Sequence, residues 1–189
     1  MKKSIYYLLF VVITLSLFAF LKIENNDGSD FKESFSKVLT SAKDYTLEVA
    51  EMMPAEDYSF KPTDSVRTFG EQIAHIGLST QFIHAFLIKG EEIEFDPVEG
   101  KKMEQQLGTS KEECIKQINK TFDEIIASLQ AMDENELQKT FVIVFAPDKP
   151  VLTNKEGYVF LRDHVTHHRG QAITYLRIKG HKPPDYRAF

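Results

Sequence analysis

His164 and His168 stand four positions apart in Asp163-His164-Val165-Thr166-His167-His168. On an α-helix, about 100° per residue leaves such a pair roughly 40° apart, one turn above the other. Two imidazoles so placed can share one metal ion. A third histidine, His75, lies far upstream, mid-stripe between Gln72 and Ser79. If both segments are helices of one bundle, all three rings point inward, and bundle cores are where facing helices assemble metal sites. Three neutral imidazoles without a thiolate suit zinc, nickel or iron, with zinc the default. A three-residue set leaves one coordination position open to water or substrate, which is typical of catalytic zinc. The expected metal ligands are therefore His75, His164 and His168. No residue is assigned as catalytic.

The chain has six histidines, and a single inward histidine is ordinarily a hydrogen-bonded core residue, so placement is the signal. His84 falls about 180° around its helix from His75 and should face away. His167 lies about 60° from His164 on the other side. It could pair with Asp163, and it is the substitute ligand if the register is shifted. His181 follows the helix stop and should be solvated. Gln171, within about 20° of His164, could hydrogen-bond a ligand or a bound water. Arg169 should form a structural ion pair, and Gly170 should admit a neighbouring helix. Glu71, one turn before His75, is a weak general-base candidate whose capping role is the stronger reading.

Four amphipathic stripes must position these groups. Phe31, Phe35, Val38, Leu39, Ala42, Tyr45, Val49 and Met53 repeat with helical period before Pro54. Thr68 and Glu71 form a capping box opening a second helix, whose stripe is Gln72, His75, Ile76, Ser79, Phe82, Ile83 and Phe86, and Gly90 stops it. Glu91 to Thr109 reads as a polar, acidic loop. Ser110 and Glu113 make another capping box before the stripe Ile115, Ile118, Phe122, Ile125, Ile126, Leu129 and Met132. Thr140 to Phe145, followed by Ala146-Pro147-Asp148-Lys149-Pro150, reads as a short strand and turn. Asn154 should cap the last helix, which runs through Tyr158, Leu161, Val165, Ala172, Tyr175 and Leu176 to Gly180. The predicted fold is all-α, an antiparallel four-helix bundle with a short strand or turn segment before the last helix.

At 189 residues with 42% hydrophobic and 27% charged content, the chain suits one domain. The net charge of −5 and the lack of a basic run beyond the extreme N-terminus argue against nucleic acid. The single cysteine, Cys114, excludes an intramolecular disulfide and a cysteine-cluster zinc site. Lys2 and Lys3 precede a nearly continuous apolar run from Ile5 to Leu21, so residues 1–23 read as a signal peptide or an N-terminal membrane anchor. Either places the domain outside the cytoplasmic membrane, in a periplasmic or extracellular setting. Residues 24–30 form a polar linker, and 31–189 form the domain.

The string Asp163-His164-Val165-Thr166-His167-His168-Arg169-Gly170-Gln171 resembles the last-helix signature of the DinB-like family, also called YfiT-like metalloenzymes. Phe69-Gly70-Glu71-Gln72-Ile73-Ala74-His75-Ile76, Tyr58-Ser59-Phe60-Lys61-Pro62 and Gly180-His181-Lys182-Pro183-Pro184-Asp185-Tyr186 are similar to further segments of that family. The resemblance covers Phe31 to the C-terminus. It implies a four-helix bundle with a three-histidine divalent metal site, and chemistries that include S-transfer from low-molecular-weight thiols and maleylpyruvate isomerisation. Members are commonly cytosolic, as are such thiols, and the export-like N-terminus weighs against thiol transfer here. The expected protein is an exported metalloenzyme, hydrolase or thiol-transferase, acting on a small-molecule substrate. The rival is a non-catalytic metal-binding or stress-associated bundle. A membrane tether through the N-terminus and a homodimer remain open.

Overall fold

A computed structural model describes residues 27–94 and 96–187. The N-terminal segment read as signal or anchor lies outside the described residues. Four long helices carry the architecture: α1 (Asp27–Met52), α2 (Phe69–Phe82), α4 (Lys111–Ala131) and α6 (Asn154–Ile178). Shorter elements complete it: α3 (Pro97–Leu107), α5 (Glu134–Gln138), β1 (Thr140–Val142) and β2 (Val151–Thr153). α4 packs on both α1 and α2, and α6 packs on the same two, so α1 and α2 stand on opposite corners of a four-helix bundle. The stripes read from the sequence become the core: Leu39, Val49, Ile76, Ile118, Phe122, Leu161 and Val165 are fully buried, and Ile73 joins them from outside the expected stripe. Such side chains each contribute roughly 1.5–3 kcal/mol by leaving water, so the bundle's framework does not depend on a bound ion.

The helix starts after α1 have chemical reasons. Thr68 and Glu71 form the complete capping box. At α4 only half of the expected box is present: Ser110 accepts from the Glu113 amide. The cap of α6 is Thr153 rather than Asn154, with Glu156 returning the bond to the Thr153 amide. Asn154 instead begins the helix and donates through Nδ2 to the Glu136 carbonyl at 2.9 Å. The expected strand is shorter than read, because only Thr140–Val142 pairs, antiparallel, with Val151–Thr153. The segment read as linker contributes Asp27 to Asp30 to α1.

The largest correction is α3. The acidic stretch Glu91–Thr109 is not all loop: Asp96 caps a helix through the Val98 and Glu99 amides, with Pro97 at its first position. An aspartate cap followed by proline is a favourable helix start, and its apolar stripe is too thin to be seen by periodicity. The C-terminal end of α3 is pinned where Gly108 crosses Gly70. A Cβ on Gly70 would sit 1.9 Å from the Gly108 carbonyl oxygen, so this crossing requires glycine. Gly170, expected to admit a neighbouring helix, has nothing within 4 Å of where its Cβ would be.

Candidate metal centre

The packing of α2 on α6 brings His75, His164 and His168 together, with one ring nitrogen from each within 4.8 Å of the others. Ring centroids are 4.3 Å apart for His75 and His168, 4.5 Å for His164 and His168, and 5.3 Å for His75 and His164. Leu161 and Val165, on the same helix, are fully buried on either side of His164. The triad is therefore fixed between packed layers rather than carried on a loop.

Polar side chains hold each ring. His75 Nδ1 donates to Glu104 Oε1 at 2.5 Å, and Arg67 Nε donates to Glu104 Oε2 at 2.8 Å. An ionised carboxylate only accepts, so the His75 proton is on Nδ1 and its Nε2 lone pair faces His168. Ser79 Oγ donates to the His75 carbonyl at 2.5 Å and therefore accepts from His164 Nε2 at 2.8 Å. The Gln72 amide lies 2.6 Å from His168 Nδ1. Gln72, His75 and Ser79 thus act as one face of α2, as their helical spacing requires.

The electrostatics favour neutral rings. Burial, reinforced by the other histidines, pushes His164 down to about 4 and His168 to about 3. Burial pushes the Glu104 carboxyl up, but hydrogen bonds from His75 and Arg67 outweigh it and hold the group below its ordinary value. His164 and His168 are therefore held neutral, beside an ionised Glu104 carboxylate.

This donor set fits a divalent metal. Two nitrogens on one tetrahedral zinc, each about 2.0–2.1 Å from it, lie about 3.3 Å apart; His75 Nε2 and His168 Nε2 are 3.1 Å apart. With Gln72 donating to Nδ1, the His168 proton is on Nε2, where the metal would replace it. The amide then has only to present its oxygen to Nδ1–H. His75, Gln72, Ser79, Arg67 and Glu104 line a cavity of about 1320 Å³; His164 and His168 are not among its lining residues.

The remaining candidates are elsewhere. His84 is buried against Tyr158, its Nε2 3.4 Å from the hydroxyl, outside the triad as expected. His167 is exposed and pairs with Gln171 at 2.8 Å; Asp163 pairs with Arg162 instead. Gln171 therefore has a protein partner, although it also lines the cavity. Arg169 makes no ion pair among the described residues. It is buried over the Tyr45 ring at 4.5 Å and donates to the Ala42 carbonyl at 3.3 Å. His181, expected to be solvated, is partly buried with Asp57 Oδ2 at 3.5 Å. Glu71 is committed to its cap. Cys114 is buried and its thiol is pushed up to about 12, so it is no nucleophile. Arg67 and Glu104 escape reasoning from sequence; the Asp96-Pro97 start and Gly108 stop are the available signals for the helix that brings Glu104.

A four-helix bundle with three convergent histidines between two of its long helices defines a class of proteins. The chain belongs to the DinB family, whose profile matches residues 26–188. It is 28% identical over 142 residues to YjoA, an uncharacterized protein of Bacillus subtilis, covering 75% of this chain and 86% of YjoA. Among solved structures, a DinB-like protein from Bacillus cereus superposes with a TM-score of 0.66 at 19% identity, covering 82% of this chain and 97% of the other. YfiT from Bacillus subtilis, described as a probable metal-dependent hydrolase with an unusual four-helix bundle topology, superposes with a TM-score of 0.61 at 16% identity, covering 79% and 87%.

Proposed function

We propose that this chain is a metal-dependent hydrolase for a small substrate, with a divalent ion, zinc foremost, held by His75, His164 and His168. The observation that carries the reading is the convergence of three ring nitrogens within 4.8 Å, with His75 forming part of a cavity wall. A bound divalent metal supplies Lewis acidity to a carbonyl or phosphoryl oxygen. The chain's own residues hold the rings in place: Glu104 orients His75, Gln72 orients His168 and Ser79 orients His164. The description of YfiT favours hydrolysis over thiol transfer. The test is elemental analysis of the purified full chain, then turnover on ester, amide, phosphoester and thiol-acceptor panels with and without chelator. Stoichiometric metal with chelator-sensitive hydrolysis supports the reading. Metal without turnover returns the protein to the non-catalytic metal-binding class, and turnover confined to thiol acceptors makes it a transferase.

We also propose that the apolar run Ile5–Leu21 exports the domain or tethers it to the membrane. No helix among the described residues is long and apolar enough to cross a membrane, so the tether would be that run alone. A C-terminal reporter fusion active only in the cytosol would remove this proposal.

A further inference from the structure

Helix α3 has no fully buried residue. Its C-terminal end is fixed by the Gly70–Gly108 crossing. Beyond that point, Glu104 reaches into the bundle and is the most enclosed side chain of the ion pairs α3 makes, 12% exposed. Its two oxygens are divided between His75 Nδ1 and Arg67 Nε. Glu99, five positions earlier, pairs among the described residues with Lys102 at the surface. One carboxylate thus joins an otherwise superficial helix to a residue of the histidine triad.

Resting on the metal reading above, we infer that Glu104 is a positioning residue of the centre, and that it couples metal occupancy to the docking of α3. A carboxylate accepting from the far nitrogen of a ligating imidazole fixes the tautomer, holds the ring's aim and raises its basicity. His75 needs this most of the three, because it stands at the cavity wall. Arg67 matters through Glu104: its guanidinium holds the second oxygen and so sets the direction of the first. Coupling of this kind is reciprocal. If docked Glu104 strengthens metal binding at His75, bound metal must hold α3 more firmly in place. Among the described residues no other hydrogen bond or ion pair joins α3 to a triad histidine, so Glu104 is where that linkage passes.

The experiment uses the full chain, with zinc affinity measured by chelator competition and backbone hydrogen exchange of residues 97–107 with and without zinc. Glu104→Ala should weaken zinc about 10- to 100-fold, the range for loss of a partner to a ligating histidine. Glu104→Gln should fall between it and wild type, since the amide oxygen still accepts but carries no charge. Arg67→Gln should weaken zinc less than Glu104→Ala, and Glu99→Gln should change nothing. Zinc should slow exchange in α3 of wild type and of Glu99→Gln but not of Glu104→Ala. Circular dichroism checks folding; if Glu104→Ala does not fold, the isosteric Glu104→Gln carries the test. Wild-type affinity in the Glu104 variants, or α3 exchange indifferent to zinc in wild type, overturns the inference while leaving the metal site standing. A wild-type chain that takes up no zinc overturns both.

Discussion

His75 and His84 ride the same helical run, yet their surroundings differ in kind. His84 is buried at the start of a π-helical turn spanning Ile83–Ile88, with the Tyr158 hydroxyl 3.4 Å away. His75 meets two further rings across the helix interface, and a carboxylate takes its outer proton. His84 is buried, whereas His75 is part-exposed at the cavity wall. Convergence of several ring nitrogens, and a carboxylate that decides which nitrogen of His75 carries its proton, belong to the triad alone. A buried histidine is thus an ordinary product of bundle packing, and a metal centre is made by what the neighbouring helices bring to it.

The widest separation between the two regions should appear in metal content. Alanine at His75, His164 or His168 removes one of three imidazoles, and each change should abolish stoichiometric metal in the purified protein. Helicity should survive, since the fully buried apolar stripes are untouched. His84→Ala should cost stability through its cavity but leave metal per folded molecule at the wild-type level. Elemental analysis beside circular dichroism checks this. Equal metal loss in His84→Ala and His75→Ala would erase the distinction.

Acidity separates the regions in a second way. Burial, with help from Lys89, pushes His84 down to about 4 from an ordinary value of 6.5. The unfolded chain therefore takes up a proton below about pH 6.5, while the folded chain refuses it until about pH 4. Stability from this residue is complete above pH 6.5 and is lost as the pH falls toward 4. The loss should be of the order of 3 kcal/mol, since each pH unit between the two values is worth about 1.4 kcal/mol. Urea unfolding with chelator present, between about pH 7.5 and 4.5, should show His84→Gln losing less stability than wild type. Parallel decline in the two proteins would mean that His84 titrates alike folded and unfolded. The pKa values of His164 and His168 are lowered in the same direction, so protons compete with metal at these two rings only at more acidic pH than they would at a free imidazole.

Much of this was legible in the sequence because it depends on local spacing. The i,i+4 relation of His164 and His168 and the shared stripe of Gln72, His75 and Ser79 are properties of a helix, and they survive folding unchanged. The Thr68–Glu71 box is equally local. What sequence could not supply is the pairing of groups 29 positions apart, as in Glu104 with His75. No periodicity encodes that a short acidic helix will lie across a particular face. Arg169 failed for a related reason: its partners are the Tyr45 ring and backbone and hydroxyl oxygens on α1, where charge complementarity suggested a carboxylate.

A smaller effect concerns the surroundings of His84. Tyr158 is fully buried and its hydroxyl has three distant neighbours, His84 Nε2 at 3.4 Å, Ser128 Oγ at 3.5 Å and Met132 Sδ at 3.8 Å. Tyr158→Phe removes only the hydroxyl and should cost about 1 kcal/mol, the usual net worth of one buried hydrogen bond. Zinc affinity should not move. A Tyr158→Phe variant with weakened zinc would tie this region to the triad and dissolve the contrast between them.

The smallest effect is expected at His167, and it is the most demanding test because His167 is adjacent in sequence to a triad member. Its ring centroid is 4.8 Å from that of His168, closer than His75 is to His164. Proximity alone would therefore make it a candidate. Direction argues otherwise. On a helix, one residue is about 100° of rotation, which carries His167 from the α2 interface out to solvent, where its Nε2 meets Gln171 at 2.8 Å. An exposed side-chain pair contributes little, and surface substitutions of this sort usually stay within about 0.5 kcal/mol. His167→Ala should therefore keep full metal content, wild-type zinc affinity and a melting temperature within a degree or two of wild type. If His167→Ala lost metal while His164→Ala or His168→Ala kept it, the helix would be presenting a different face to α2. The supporting roles given to Ser79 and Gln72 would fail with it, because each is defined by the ring it meets.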